Sequence, residues 1–277
     1  MIRFELLKLR RSRRPLSAAL ALALFLMLML CGFWLYAKKR FGDEPDFRFT
    51  FENQSYFNGL TFTLYAFYFG SLLLLPIFVA TEGGALLAGE SSSGTLRLLL
   101  TRPVSRGRVL LTKALVLVIY ATLLTGAFLA TCLLLDLFVV GWGELSLYPG
   151  VLQMTSTPQH LSQGQALARF ALIWPAASVG LCAPAAFSLL CSAWSRGPVN
   201  AAGVAVSLYL VMHVVSGVSF FEDLRPLLFT TFLGYWRELF QEHVDGARLA
   251  RDAAKLAAFS LLFLALAHHR FRTRQER

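Results

Sequence analysis

The sequence predicts an all-α integral membrane protein that crosses the bilayer six times. Of its 277 residues, 56% are hydrophobic and only 15% are charged, whereas soluble domains carry about a quarter charged residues. Uncharged apolar segments of roughly 20 residues recur along the chain, which is the length that a helix needs to cross a membrane. The basic residues are concentrated in alternate connecting segments. Since backbone groups in lipid must bond within their own segment, these spans are predicted to be helices.

The six predicted spans share a long apolar stretch with few charges. They cover about 15–36, 60–80, 114–140, 170–194, 199–218 and 249–268. Residues 1–14 mix apolar side chains with arginine and predict an interfacial helix, with a simple orienting basic tail as the alternative. The first apolar core is longer than the roughly 7–15 residues of a signal peptide, so it is expected to remain as an anchor. Pro175 and Pro184 are expected to bend the fourth span.

The predicted outer segments are short. Residues 37–59 and 141–168 form polar loops, and Asp136, near the outer end of the third span, is predicted to be interfacial, with a role in a pathway as the alternative. Residues 219–248 alternate apolar and charged groups, and their uncharged core is too short to span. They predict an interfacial or re-entrant helical hairpin before the sixth span.

Charge sets the orientation. The segments on the side of the two termini hold 16 of the 26 basic residues but only four of the 16 acidic ones. The positive-inside rule therefore predicts that both termini are cytoplasmic, in the cell (inner) membrane. The same placement explains the basic net charge without a nucleic-acid partner. All four cysteines fall in apolar runs, which favours packing roles over a disulfide framework or a metal site.

The most informative stretch is the inner segment from Glu90 to Lys113, which is rich in helix-ending and helix-starting residues. Ser91 to Ser93 can cap a short helix, Pro103 should end it, and Ser105 can cap the next span. The short helix would present a leucine face at the membrane surface, made of Leu96, Leu99 and Leu100.

This segment resembles the cytoplasmic loop of type-2 (ABC-2-like) ABC exporter permeases. The matching positions are Glu90, Gly94, Thr95, Leu96, Leu99, Leu100, Pro103, Ser105, Arg106 and Lys113. In that family the loop forms a coupling helix that sits in a cleft of the ATPase subunit, and Arg102 is expected to take part. The arginines could instead be headgroup anchors. Ser91 stands where many members have a basic residue, so the motif does not supply an ion-pair partner for Glu90.

The resemblance also implies an assembly and a route. Two copies of a separate ATPase, which bind ATP and Mg, would work beneath a homodimer of permease subunits in the lipid bilayer. The second and fifth spans would face each other across the dimer, with Tyr65, Tyr68, Tyr209 and His213 as the polar lining. Packing of those side chains inside the subunit is the alternative.

Enzymatic chemistry in this chain is not expected. ATP hydrolysis requires a G-x-x-x-x-G-K-[ST] loop, and no lysine here follows a glycine. Intramembrane proteolysis would require H-E-x-x-H or a serine–histidine pair, for which His213 with Ser207 and Ser216 is the candidate. Ion-coupled carriers usually bury charged residues within the membrane, and these spans are nearly free of charge.

The sequence therefore predicts the membrane subunit of an ATP-driven exporter that holds no cofactor of its own. Two other roles share the inner motif or the span pattern. One is an ATPase-linked machine that signals or does mechanical work, and the other is a membrane scaffold without an ATPase. No residue pattern identifies the cargo.

Overall fold

The computed structural model describes residues 2–12, 14–41, 49–51, 54–57, 59–95, 105–141, 143–147, 152, 154–155 and 159–273. Within them the chain is mainly helical, as the sequence predicts. Nine α-helices are described: α1 Ile2–Arg11, α2 Arg14–Phe41, α3 Gly59–Phe69, α4 Leu75–Ser92, α5 Arg106–Leu135, α6 Gln163–Gly180, α7 Cys182–Trp194, α8 Pro198–Gly217 and α9 Gly246–Thr273.

Five stretches in the described residues are long and apolar enough to cross a membrane. They are Arg14–Gly32, Gly59–Ser92, Arg106–Val139, Gln163–Trp194 and Pro198–Gly217. Each of them overlaps one of the first five predicted spans. The sixth predicted span lies within α9, whose first turns carry Arg248, Arg251, Asp252 and Lys255 and lower its mean hydropathy. A sixth crossing therefore stays a prediction.

Two π-helical turns interrupt the spans. Gly70–Leu74 joins α3 to α4, and Asp136–Val140 ends α5. The first accommodates a close contact, because a Cβ on Gly70 would lie 2.3 Å from Cε1 of Phe128. The second brings Asp136 inward, where Thr63 donates a hydrogen bond to its Oδ2. Asp136 is fully buried inside the subunit, and this hydrogen bond links the ends of α3 and α5; its interfacial depth stays a prediction.

The fourth span, which was predicted to bend, is divided into two helices. α6 ends at Gly180, Leu181 forms a turn, and α7 begins at Cys182. Pro175 is accommodated inside α6, and Pro184 stands in the first turn of α7, where a proline costs no intrahelical hydrogen bond. The break leaves α7 as a short, almost completely buried helix.

The predicted outer loops also contain two short strand pairs, which the sequence does not predict. β1 Phe49–Phe51 pairs antiparallel with β2 Gln54–Phe57, and β3 Leu145–Leu147 pairs antiparallel with β4 Gln159–Leu161. The predicted hairpin region consists of two successive 3-10 helices, Ser219–Leu227 and Phe229–Phe240. They are separated by Leu228 in an extended conformation.

The centre of the bundle is α7, which packs against α4, α8 and α9. Small residues allow the close approach of these helices. Ser192 of α7 donates to the carbonyl of Gly84 on α4 (2.6 Å), and a Cβ on Gly84 would lie 2.7 Å from Cα of Ala202 on α8. Small residues at helix crossings are the usual basis of association in membranes. The α4–α7–α8 crossing is therefore held by contact between backbones.

Candidate functional site

The candidate site is an ionic cluster where α1, α4 and α5 meet at one end of the bundle. It comprises Glu5, Lys8, Glu90 and Lys113. The two oxygens of Glu90 are shared between two lysines: Lys8 Nζ lies 2.6 Å from Oε1 and Lys113 Nζ lies 2.8 Å from Oε2. Glu5 Oε1 lies 3.4 Å from Lys113 Nζ. Two carboxylates and two ammonium groups thus balance one another.

The inner half of this cluster is out of contact with solvent. Lys113 is 1% exposed and Glu90 is 6% exposed. Charges buried this deeply persist only when they are paired, since removing one partner typically costs about 3–5 kcal/mol. The cluster therefore holds the three helices in one arrangement.

The local sequence explains why Glu90 sits at this end. α4 runs through Ser92, where the hydroxyl donates to the carbonyl of Gly89 (3.0 Å). The helix ends because Gly94 adopts a positive φ of 71°, a conformation that glycine adopts without a steric penalty. Ser91 and Ser92 therefore belong to the last turn of α4, and the prediction that they cap a following short helix is wrong.

The segment after α4 is described only at its two ends. At the first end, Thr95 is exposed and its hydroxyl lies 2.9 Å from that of Ser93. At the second end, Ser105 caps α5 as predicted, by accepting a hydrogen bond from the backbone N–H of Arg108. The other predicted coupling residues, Leu96, Leu99, Leu100, Arg102 and Pro103, lie outside the described residues.

Arg106 connects the second end to the last helix. Its Nη1 donates to the carbonyls of Phe271 (2.7 Å) and Arg272 (3.3 Å), at the C-terminal end of α9. Its guanidinium also lies 5.7 Å from the ring centroid of Phe271. The last carbonyls of a helix lack intrahelical partners and attract cations. Arg106 thus acts as a cap supplied by another helix.

We expect Arg106→Gln to loosen the end of α9 without unfolding the protein. The cap should be worth about 1 kcal/mol, as for other charge–helix-end contacts. Hydrogen exchange followed by mass spectrometry should show faster exchange at residues 268–273. Arg108→Gln is the matched control, because the side chain of Arg108 is exposed and forms no hydrogen bond or ion pair with the residues that the structure describes. Equal exchange in the two variants would contradict the capping role.

A second ion pair flanks the cluster. Arg14, at the start of α2, lies 3.7 Å from Oε1 of the buried Glu82 on α4. Between this pair and the cluster lies a cavity of about 110 Å³, whose lining includes Glu5, Lys8, Arg14 and Glu82. The helices α1 and α2 are therefore both tied to α4 by charge.

Of the predicted pathway residues, Tyr209 and His213 lie side by side on α8, and Tyr65 and Tyr68 lie on α3. Tyr209 is fully buried, its hydroxyl donates to the carbonyl of Leu72 in the first π-helical turn, and its ring stacks on His213 at 5.8 Å. Tyr68 is half-buried and lies against Arg237, and Tyr65 is also half-buried. Their role in a route stays a prediction.

Sequence reasoning found Glu90 and Lys113 but missed Glu5, Lys8 and the Arg14–Glu82 pair. The available signals were two lone carboxylates: Glu5 within a basic amphipathic segment and Glu82 within an apolar run. Carboxylates in such places require cationic partners. Which cation each one meets depends on the way that the helices pack.

Comparison with known protein families places the chain in one of them. The profile of a family described as ABC-2 family transporter protein matches residues 1–174. This region contains the whole ionic cluster and the segment between α4 and α5. No curated protein matches the chain.

Proposed function

This chain belongs to the ABC-2 family of transporter proteins, and from that premise we propose that it is the membrane subunit of an ATP-driven exporter. It is a multi-pass membrane permease of a family that associates with an ATPase subunit. In our proposal, a separate ATPase hydrolyses ATP, and this chain converts that step into movement of a cargo across or out of the membrane.

The ionic cluster is the observation that carries this proposal. Glu90 and Lys113 stand on either side of residues 93–105, the segment that resembles the family's ATPase-docking loop, and their 2.8 Å ion pair joins its two ends. Lys8 links α1 to the same carboxylate, and Arg106 links the start of α5 to the end of α9. A force on this segment would therefore act on four helices together, as rigid-body transmission requires.

The assembly follows from the family resemblance and from charge. We propose a homodimer of permease subunits with two ATPase subunits, which bind ATP and Mg, on the cytoplasmic side. The basic residues concentrated near both termini support a cytoplasmic location of both termini in the cell (inner) membrane. The apolar faces of α2 and α8 that remain exposed in the subunit fit contact with lipid or with the second subunit.

The docking role is tested by Leu99→Asp. A carboxylate on the predicted leucine face should prevent insertion into an apolar cleft of the ATPase. We expect co-purification of the ATPase, or cargo-stimulated ATP hydrolysis, to fall about tenfold or more. Leu227→Asp is the matched control, because Leu227 is 71% exposed on the hairpin region away from the cluster. Normal ATPase binding and coupling by Leu99→Asp would overturn the proposal.

The orientation is tested by single cysteines in a background without the four native ones. Arg40→Cys should react with an impermeant maleimide in intact cells, whereas Arg102→Cys should react only after lysis. The positive-inside rule dictates this order. The reverse pattern would show that the ionic cluster faces away from the cytoplasm.

A further inference from the structure

A second cavity lies at the opposite end of α9 from the Arg106 cap. It has a volume of about 230 Å³ and opens between the helix Phe229–Phe240 and the first turns of α9. Its polar lining includes Thr231, Arg237, Glu238, Gln241, Arg248 and Asp252. Since one water occupies about 30 Å³, the space is too large for a single water and smaller than a drug-sized pocket. It suits a compact polar group.

The charges around this cavity are incompletely paired. Arg248 Nη1 lies 3.1 Å from Glu238 Oε1, and Lys255 Nζ lies 3.0 Å from Asp252 Oδ1. Arg237, by contrast, pairs with no carboxylate in the part of the chain that the structure describes. Its Nε donates to the carbonyl of Gly234 (2.9 Å), and its guanidinium lies 5.9 Å from the ring centroid of Tyr68. One cation in the cavity therefore lacks an anion.

The carboxylates of Glu238 and Asp252 make this cavity a poor site for a simple anion. The side chains of Glu238 and Asp252 are only 14% and 19% exposed, and each has an oxygen beyond the one that its basic partner approaches. A dianion placed beside Arg237 would meet this negative charge. A group that carries both a phosphate and an ammonium would instead satisfy the arginine and the carboxylates together.

The cavity also lies at the depth of the lipid headgroups if α9 crosses the membrane. The charged first turns of α9 end at Lys255, and residues 256–267 carry no charge. Lys255 lies 4.4 Å from the ring centroid of Phe232. A lysine at the end of an apolar helix typically places its ammonium group at the membrane–water interface.

We propose that this cavity binds the zwitterionic headgroup of a phospholipid, with its phosphate on Arg237 and its ammonium between Glu238 and Asp252. A bound lipid would hold the helix Phe229–Phe240 against α9. The inference is independent of ATPase docking, because it concerns the other end of the molecule and requires no nucleotide.

The test uses the full-length protein, purified in a maltoside detergent that contains neither phosphate nor amine. Native mass spectrometry would follow titration with three probes: dihexanoyl phosphatidylethanolamine, dihexanoyl phosphatidylglycerol and inorganic phosphate. We expect phosphatidylethanolamine to bind about tenfold more tightly than either of the others, the effect of one charge-assisted contact. Equal binding of phosphatidylglycerol would overturn the zwitterionic assignment. Equal binding of inorganic phosphate would show a free-anion site instead of a lipid site.

Three variants complete the test. Arg237→Gln should weaken phosphatidylethanolamine binding about tenfold. Arg237→Lys keeps the positive charge and should retain most of the phosphatidylethanolamine binding. It provides the comparison with the unchanged protein if Arg237→Gln fails to fold. Arg251→Gln is the control, because Arg251 is an exposed arginine of α9 outside the cavity lining. Unchanged binding by a folded Arg237→Gln, or equal weakening in Arg251→Gln, would overturn the site.

Discussion

Replacing Glu90 by glutamine is expected to destabilise the protein by about 3 kcal/mol and to uncouple it from its ATPase, because breaking a buried ion pair leaves an uncompensated charge. Glutamine keeps the shape of the side chain but removes the charge that Lys8 and Lys113 share. Among the described residues, Lys113, which is 1% exposed, would then keep the carboxylate of Glu5 at 3.4 Å as its one acidic partner. The measurements are thermal unfolding of the purified protein and cargo-stimulated ATP hydrolysis of the reconstituted complex.

Glu222→Gln is the control for this experiment. Glu222 also faces an arginine, Arg225 at 3.8 Å, but its side chain is 78% exposed. Exposed ion pairs contribute about 0–1 kcal/mol, so neither stability nor coupling should change. The triple variant Glu5→Gln, Glu90→Gln, Lys113→Gln removes the three buried charges of the cluster and should regain much of the lost stability. If the triple variant is no more stable than Glu90→Gln, the buried charge is not the cause.

Replacing Gly84 by valine should have an effect of similar size for a steric reason. The new Cβ would lie 2.7 Å from Cα and 2.8 Å from N of Ala202, and backbone atoms cannot rotate away as a side chain can. α4 would have to separate from α8 and from Ser192 of α7. Because overpacking a close contact costs about 1–3 kcal/mol and sometimes more, we expect a large loss of stability and of folded yield in the membrane.

The matched control is Gly203→Val on α8. Gly203 is also a glycine within a helix, but among the described residues nothing beyond its own helical backbone lies within 4 Å of its Cβ position. Valine forms helices slightly more readily than glycine, so stability should be equal or slightly greater. Both variants are compared by size-exclusion chromatography in detergent and by thermal unfolding. Equal loss in the two variants would mean that the α4–α8 contact is not tight.

The first five spans were predictable because crossing a membrane depends on local apolar length. Their boundaries were less predictable. The second span was predicted to end near residue 80, yet α4 continues to Ser92, because its polar last turns are stabilised by contacts with α1, α5 and α7. The interruption at Leu181 was predicted as a bend, since two prolines indicate that the helix is disturbed but do not specify the geometry of that disturbance.

The candidate site was half predictable. Glu90 and Lys113 belong to one motif, so the sequence pointed to both of them. Ser105 was correctly predicted to cap the next helix. The other partner of Glu90 is Lys8, which lies 82 residues earlier in the chain. It belongs to a basic segment in which the sequence does not distinguish one lysine or arginine from another as an ion-pair partner. Likewise, nothing local to Arg106 indicates that it caps a helix 165 residues later.

By itself the sequence determined that this is a helical membrane protein, and it predicted which side of the bilayer holds its termini and which inner segment docks a partner. These properties depend on the local composition of each segment, since apolar length and the positions of arginine and lysine can be counted without knowing how the helices pack. The tertiary structure alone decided that α1, α4 and α5 share one buried carboxylate, that Tyr209 points into the subunit, and that Arg237 faces a polar cavity. Each of these facts depends on the rotation of one helix against another, which is set by contacts between residues far apart in the chain.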